Sequence, residues 1–215
     1  MIGEELGRFV NRDGSDQFEF SFRVTPMART RTFVAVETTA EIRRRAAELA
    51  ALLSGVAGDV KWVATENLHW TLQFLGEVED LEIPELCAEV AMAAAECEPF
   101  ELAAAGAGAF PSADRPRTLW IGAGQGADEM MALQTSIERR LKKRGYRAEN
   151  RRFVPHLTLG RAGRLRNSQS LVEELAALAD YEAGVMLVDE VTVFASRLTR
   201  DGSLYEPLGR APLAP

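Results

Sequence analysis

Histidine and cysteine are scarce in this chain, two of each among 215 residues, and the scarcity narrows the available chemistry at once. Cys87 and Cys97 are too few for a disulfide framework and lack the paired spacing of a zinc site, so they read as reduced thiols of a cytoplasmic protein. No apolar run has the length of a membrane span. The N-terminus is acidic where a secretory leader is basic and then apolar, so neither export nor membrane insertion is expected. An excess of positive charge is also missing. The net charge of −7 excludes coating of nucleic acid by bulk electrostatics and leaves room only for a local basic patch. There is no Gly-x-Ser-x-Gly elbow and no dinucleotide fingerprint. The glycines between Gly122 and Gly126 are not followed by Lys-Ser/Thr, so that stretch reads as a connector rather than a phosphate loop.

What is present suits a soluble globular protein, 47% apolar and 27% charged, long enough to bury a proper core. Residues 1–28 read as a loosely held N-terminal extension, with Phe18, Phe20 and Phe22 alternating like an edge strand, and 29–215 as one monomeric two-lobed unit. Thr32 to Glu37 is a strand. A helix follows, with Thr38 and Glu41 as its capping box, Ile42, Ala46, Leu49 and Leu53 as its buried face, and Gly55 as its stop. A short strand at Val60 to Val63 precedes a histidine-bearing strand that ends near Gly76. Helices are expected at Pro84 to Ala95, Asp128 to Arg144 and Ser168 to Ala179. Further strands are expected at Phe100 to Ala107, Thr118 to Gly122, around His156, and at Val185 to Val188, Glu190 to Leu198 and Leu204 to Leu208, with Asp201-Gly202 as a hairpin turn. This order predicts an α+β fold with two antiparallel-rich sheets flanked by helices around a central cleft. His69 and His156 lie in comparable halves, which suggests a pseudo-twofold duplication.

Both histidines stand in the pattern His, apolar, Thr, Leu: His69-Trp70-Thr71-Leu72 and His156-Leu157-Thr158-Leu159. For ordinary composition the chance that both would do so is on the order of 10⁻⁵. Strand side chains alternate, so His69 and Thr71 share one face while Trp70, Leu72 and Phe74 share the other; His156 and Thr158 likewise oppose Leu157 and Leu159. Each strand buries one face and offers an imidazole and a hydroxyl on the other. Two facing imidazoles suit phosphodiester cleavage, because one takes a proton from the nucleophile while the other, protonated, serves the leaving oxygen. The residues alone leave open which does which. Thr71 and Thr158 are placed to donate to non-bridging phosphate oxygens. Arg151, Arg152, Arg161, Arg164 and Arg166 supply a local positive field, although strict alternation puts Arg161 on the buried parity unless the strand bulges at Gly160. A metal site is disfavoured: there is no His-x-x-x-His, no cysteine pair and no acid within the motifs.

Four stretches together resemble the two-histidine phosphoesterases, and within them the bacterial and archaeal RNA 2′,3′-cyclic phosphodiesterases once called 2′-5′ RNA ligases. They are Arg31 to Glu37, Val60 to Val63 with Glu66 to Gly76, Gly108 to Ser112 with Arg115 to Arg117, and Phe153 to Arg161. The resemblance runs from about Arg31 to Leu208 and excludes the first 28 residues. It implies a metal-independent enzyme without cofactor, acting on RNA that ends in a 2′,3′-cyclic phosphate and leaving a 2′-phosphomonoester. By the same resemblance His69 is the proton donor to the departing 3′-oxygen, His156 the base that activates water, and Arg161 a phosphate contact. Trp70 stands where the family commonly has a smaller aliphatic residue. Two rivals remain: a ligase joining the cyclic end to a 5′-hydroxyl through a 2′-5′ bond, and a non-catalytic module that binds RNA ends.

Overall fold

The structure, a computed structural model, describes residues 6–8, 19–21, 28–148, 151–163, 169–200 and 202–214. Two short strands, β1 (Leu6–Arg8) and β2 (Glu19–Ser21), pair only with each other among the described residues. The remaining strands are β3 (Arg29–Glu37), β4 (Val60–Trp62), β5 (His69–Glu79), β6 (Phe100–Phe110), β7 (Thr118–Ala123), β8 (His156–Ala162), β9 (Glu182–Val188), β10 (Glu190–Thr199) and β11 (Gly202–Pro212). The helices are α1 (Ala40–Ala57), α2 (Ile83–Ala94), α3 (Ala127–Lys143) and α4 (Gln169–Ala177). Asp201, Arg164 and Arg166 lie outside the described residues.

Helix α1 begins one residue later than the capping box suggested. Thr38 is buried with its hydroxyl turned to the Met186 sulfur, so Thr39 takes the extended capping conformation and its hydroxyl accepts from the Ile42 amide at 3.4 Å. The helix also passes through Gly55 and stops at Gly58, which takes φ 66° at the C-cap. The expected apolar face holds: Ile42, Ala46, Leu49 and Leu53 are all buried.

The two expected sheets are joined into one. The strand order is β11-β10-β3-β5-β8-β7-β6-β9, all neighbours antiparallel, with β4 alongside β8. In the sheet the two histidine strands are joined by a single ladder pair, Trp70 with Leu157. Nor are the lobes the two halves of the sequence, because β10 and β11 return to the first lobe while β4 crosses to the second. Each histidine strand pairs with the strand that precedes its helix, β5 with β3 and β8 with β7, although β4 intervenes between α1 and β5.

The helices tie the lobes together. Helix α1 packs on β8 and β9 of the second lobe, and α2 packs on β10 and β11 of the first and on α3. Between helices and sheet runs one continuous core that takes in Val34, Val36, Trp70, Leu72, Leu119, Ile121, Leu157 and Leu159. The opposite sheet face carries the histidines. Between α2 and α3, Glu89 and Glu96 bind Arg140 and Arg144 in a network that also includes Ser136 and Arg139. No helix among the described residues is long and apolar enough to cross a membrane.

Trp70 is the hinge of this packing, 1% exposed and paired on one side with Val36 and on the other with Leu157, yet its indole N–H has no hydrogen-bond partner among the described residues. Trp70→Ala is expected to lower stability to chemical denaturation by about 3–5 kcal/mol through the cavity it leaves. Trp70→Phe is expected to lose much less, since it removes the orphaned donor together with part of the ring.

Candidate active site

The register across the lobe junction builds the site. With Trp70 opposite Leu157 in an antiparallel ladder, one step either way sets His69 across from Thr158 and Thr71 across from His156. All four point away from the core. The histidines are diagonal neighbours, with backbones on the order of 7 Å apart. The nearness shows in His69 itself: the charge of His156 is one of the causes that lower its pKa.

Both imidazoles are oriented by the same device. His69 Nδ1 lies 2.7 Å from the Asn67 carbonyl and His156 Nδ1 2.8 Å from the Val154 carbonyl, in each case two residues upstream. A carbonyl only accepts, so Nδ1 carries the proton in both rings and Nε2 is left for the cleft. The Asn67 loop is itself pinned, because its side-chain amide donates to the Ser203 carbonyl of β11 at 2.7 Å. Rings complete the seats. His69 lies against Phe33, centroids 4.9 Å apart, and edge-on to Tyr205 at 5.2 Å; His156 stands edge-on to Phe110 at 5.0 Å. Thr71 and Thr158 are half-buried, and neither hydroxyl hydrogen-bonds to the described residues.

Alternation fails at the same place in both strands. On β5, Thr71 pairs with Ala35 but Gln73 with Val34, so Leu72 is an extra residue. On β8, Thr158 pairs with Trp120 but Gly160 with Leu119, so Leu159 is extra. Each motif leucine is thus a bulge that switches the faces beyond it. This corrects the expected parity of Phe74, which lies on the histidine face beside Phe33 and is 49% exposed, while Gln73 turns into the core. It also resolves Arg161, which pairs with Thr118 and so shares the face of Thr158 and His156. Phe74 and Arg161 occupy equivalent places in the two lobes. The bulge that Arg161 required is there, one residue before Gly160. Arg151 and Arg152 are exposed just upstream of the motif.

Burial lowers the pKa of His69, the Asn67 carbonyl raises it and His156 lowers it further, with burial the largest cause. One nearby carboxylate is spoken for. Glu37 pairs with His69 in the β3–β5 register, but it is held by Arg210 at 2.7 Å, by Arg43 at 3.9 Å and by the Thr192 hydroxyl at 3.4 Å. The aromatic seats, the two upstream carbonyls and Glu37 were not among the residues singled out from sequence. Only the repeated offset from Asn67 to His69 and from Val154 to His156 was there to be noticed.

The profile described as the 2′-5′ RNA ligase superfamily matches residues 38–199. Among curated relatives, an RNA 2′,3′-cyclic phosphodiesterase of Aeropyrum pernix is 38% identical over 69% of this chain and 84% of its own. One of Methanothermobacter thermautotrophicus is 35% identical over 82% and 95% respectively. In structure, the chain is similar to E. coli LigT complexed with 3′-AMP, at 28% identity and TM-score 0.70, covering 87% of this chain and all of that one (100%). It is likewise similar to TT0787 of Thermus thermophilus, at 25% identity and TM-score 0.71, over 85% and 97%.

Two titrations follow from this electrostatic arrangement. In the free protein the His69 ring is expected to titrate below the ordinary imidazole value, read from its Cε1–H resonance by NMR; a value above the ordinary one contradicts the burial account. Arg210→Met leaves Glu37 with Arg43 as its remaining cation and is expected to raise the His69 pKa, because the freed carboxylate then favours the imidazolium.

Proposed function

This chain belongs to the 2′-5′ RNA ligase superfamily, and on that premise we propose that it hydrolyses RNA 2′,3′-cyclic phosphate ends to 2′-phosphomonoesters by two-histidine acid-base catalysis without metal. The observation that carries the proposal is the matched pair of imidazoles, each donating Nδ1–H to its upstream carbonyl and each presenting Nε2 on one sheet face beside a threonine hydroxyl.

The reaction needs one proton removed and one delivered. His156 Nε2 takes a proton from water, whose oxygen forms the new bond to phosphorus. The bond from phosphorus to the 3′-oxygen breaks, and the proton on His69 Nε2 passes to that oxygen, leaving the phosphate on the 2′-oxygen. Thr71 and Thr158 donate to the two non-bridging oxygens, and Arg161 lends positive charge from further down β8. In the free site burial disfavours the charged form of His69. The anionic cyclic phosphate, once seated against it, supplies the opposite charge that restores its proton. The names of the Aeropyrum and Methanothermobacter relatives support this substrate class.

The test is incubation of an RNA oligomer ending in 2′,3′-cyclic phosphate with wild type, His69→Ala and His156→Ala in EDTA, with the terminal group identified. Wild type is expected to give the 2′-phosphate, and each alanine variant to be slower by a factor of about 10²–10⁴. Loss of wild-type activity in EDTA contradicts the metal-free route. A joined 2′-5′ product identifies a ligase, and RNA-end binding without turnover identifies a binding module.

A further inference from the structure

We propose that Lys61, with Arg161 beside it, forms a second phosphate subsite that holds the phosphodiester on the 5′ side of the terminal nucleotide. The inference rests on the cyclic-phosphodiesterase reading and names what else of the RNA the protein grips.

Strand β4 takes over from β5 as the neighbour of β8, pairing Trp62 with Gly160, Lys61 with Arg161 and Val60 with Ala162. Gly160 shows which face is which. A Cβ built there would meet Val60 Cγ1 at 2.7 Å and Trp62 Cε3 at 2.9 Å, so Val60 and Trp62 lie on the core side. Lys61 therefore faces the other way, with Arg161, on the face that the Leu159 bulge shares with Thr158 and His156.

Lys61 and Arg161 are thus two exposed cations directly opposite each other on one rung. Like charges so placed repel. Among the described residues neither forms an ion pair to relieve that, not even with Asp59, which lies just before β4 with its carboxylate beside Gly163. What sets this rung apart, in a chain of net charge −7, is that the two cations face each other across one ladder pair. A phosphate between the two converts mutual repulsion into two charge-assisted contacts.

The rung is displaced from the reacting centre. Counting the bulge out, it lies four ladder steps from His156, roughly 13 Å along the strand at the usual rise. The ammonium of Lys61 is too short to span that to a phosphate between the two imidazoles. An RNA strand whose cyclic end sits between the histidines places its next phosphate away from them, and Lys61 is the cation positioned along β8 to meet it.

The experiment compares kcat/KM for three probes: a nucleoside 2′,3′-cyclic phosphate, a dinucleotide with the same cyclic end, and that dinucleotide with its internal linkage as a neutral methylphosphonate. Wild type is expected to prefer the charged dinucleotide on the order of tenfold, mainly through KM, and the neutral linkage to remove the preference. Lys61→Ala is expected to lose that preference while leaving the mononucleotide rate unchanged, and Lys61→Arg to keep it. For the charged dinucleotide the slope of log kcat/KM against log salt should also fall by about 0.7 in Lys61→Ala. Equal loss on all three probes, or no loss on any, overturns the subsite. A wild type inactive on every probe overturns the underlying reading and the subsite with it.

Discussion

One antiparallel contact, Trp70 against Leu157, sets the positions of everything on the other side of the sheet. Both side chains are buried in the common core, so the hydrophobic effect that closes the core also draws the two histidine strands into register. Because side chains alternate, fixing those two residues inward leaves His69, Thr71, His156 and Thr158 no face but the outer one. The proximity of the two imidazoles is here a by-product of burial. The helices reinforce it, since α1 packs beneath strands of the second lobe and α2 beneath strands of the first. Separating the lobes would therefore open the core.

The motif leucines extend the same logic. A strand that alternated without interruption would put Arg161 into the core and Phe74 with it. The bulges at Leu72 and Leu159 keep both leucines inward and turn the next stretch of each strand outward, so the site lengthens along the strands. Beyond the bulges the two histidine strands differ at matching positions: an aromatic ring at Phe74 on one, a guanidinium at Arg161 on the other. Around His69 the cluster of Phe33, Phe194 and Tyr205 excludes water and disfavours the imidazolium. Glu37 is kept engaged by Arg210 and Arg43. The free site therefore disfavours the charged form of His69.

The histidine pair, the threonines, the α+β class and most element positions were legible in the sequence, because they rest on period-2 and period-3.6 patterns that burial enforces. What escaped was set by contacts between distant segments. Nothing local distinguishes Thr38 from Thr39 as a cap until Met186 claims the Thr38 hydroxyl. Period-2 counting has no means of seeing a bulge, so it puts Phe74 on the wrong face. The same counting puts Arg161 inward, and only the bulge at Leu159 brings it to the histidine face. The single joined sheet and the return of β10 and β11 to the first lobe are likewise matters of strand pairing, to which sequence order is blind.

The central claim is that the two imidazoles brought together by that contact divide one proton removal and one proton delivery between them. The most direct measurement is kcat/KM against pH on a cyclic-ended RNA oligomer. The account predicts a bell with an acid limb from the imidazole that must be neutral and a basic limb from the one that must be charged, the two apparent values belonging to the pair. A rate that lacks either limb across the range where imidazoles titrate would contradict it.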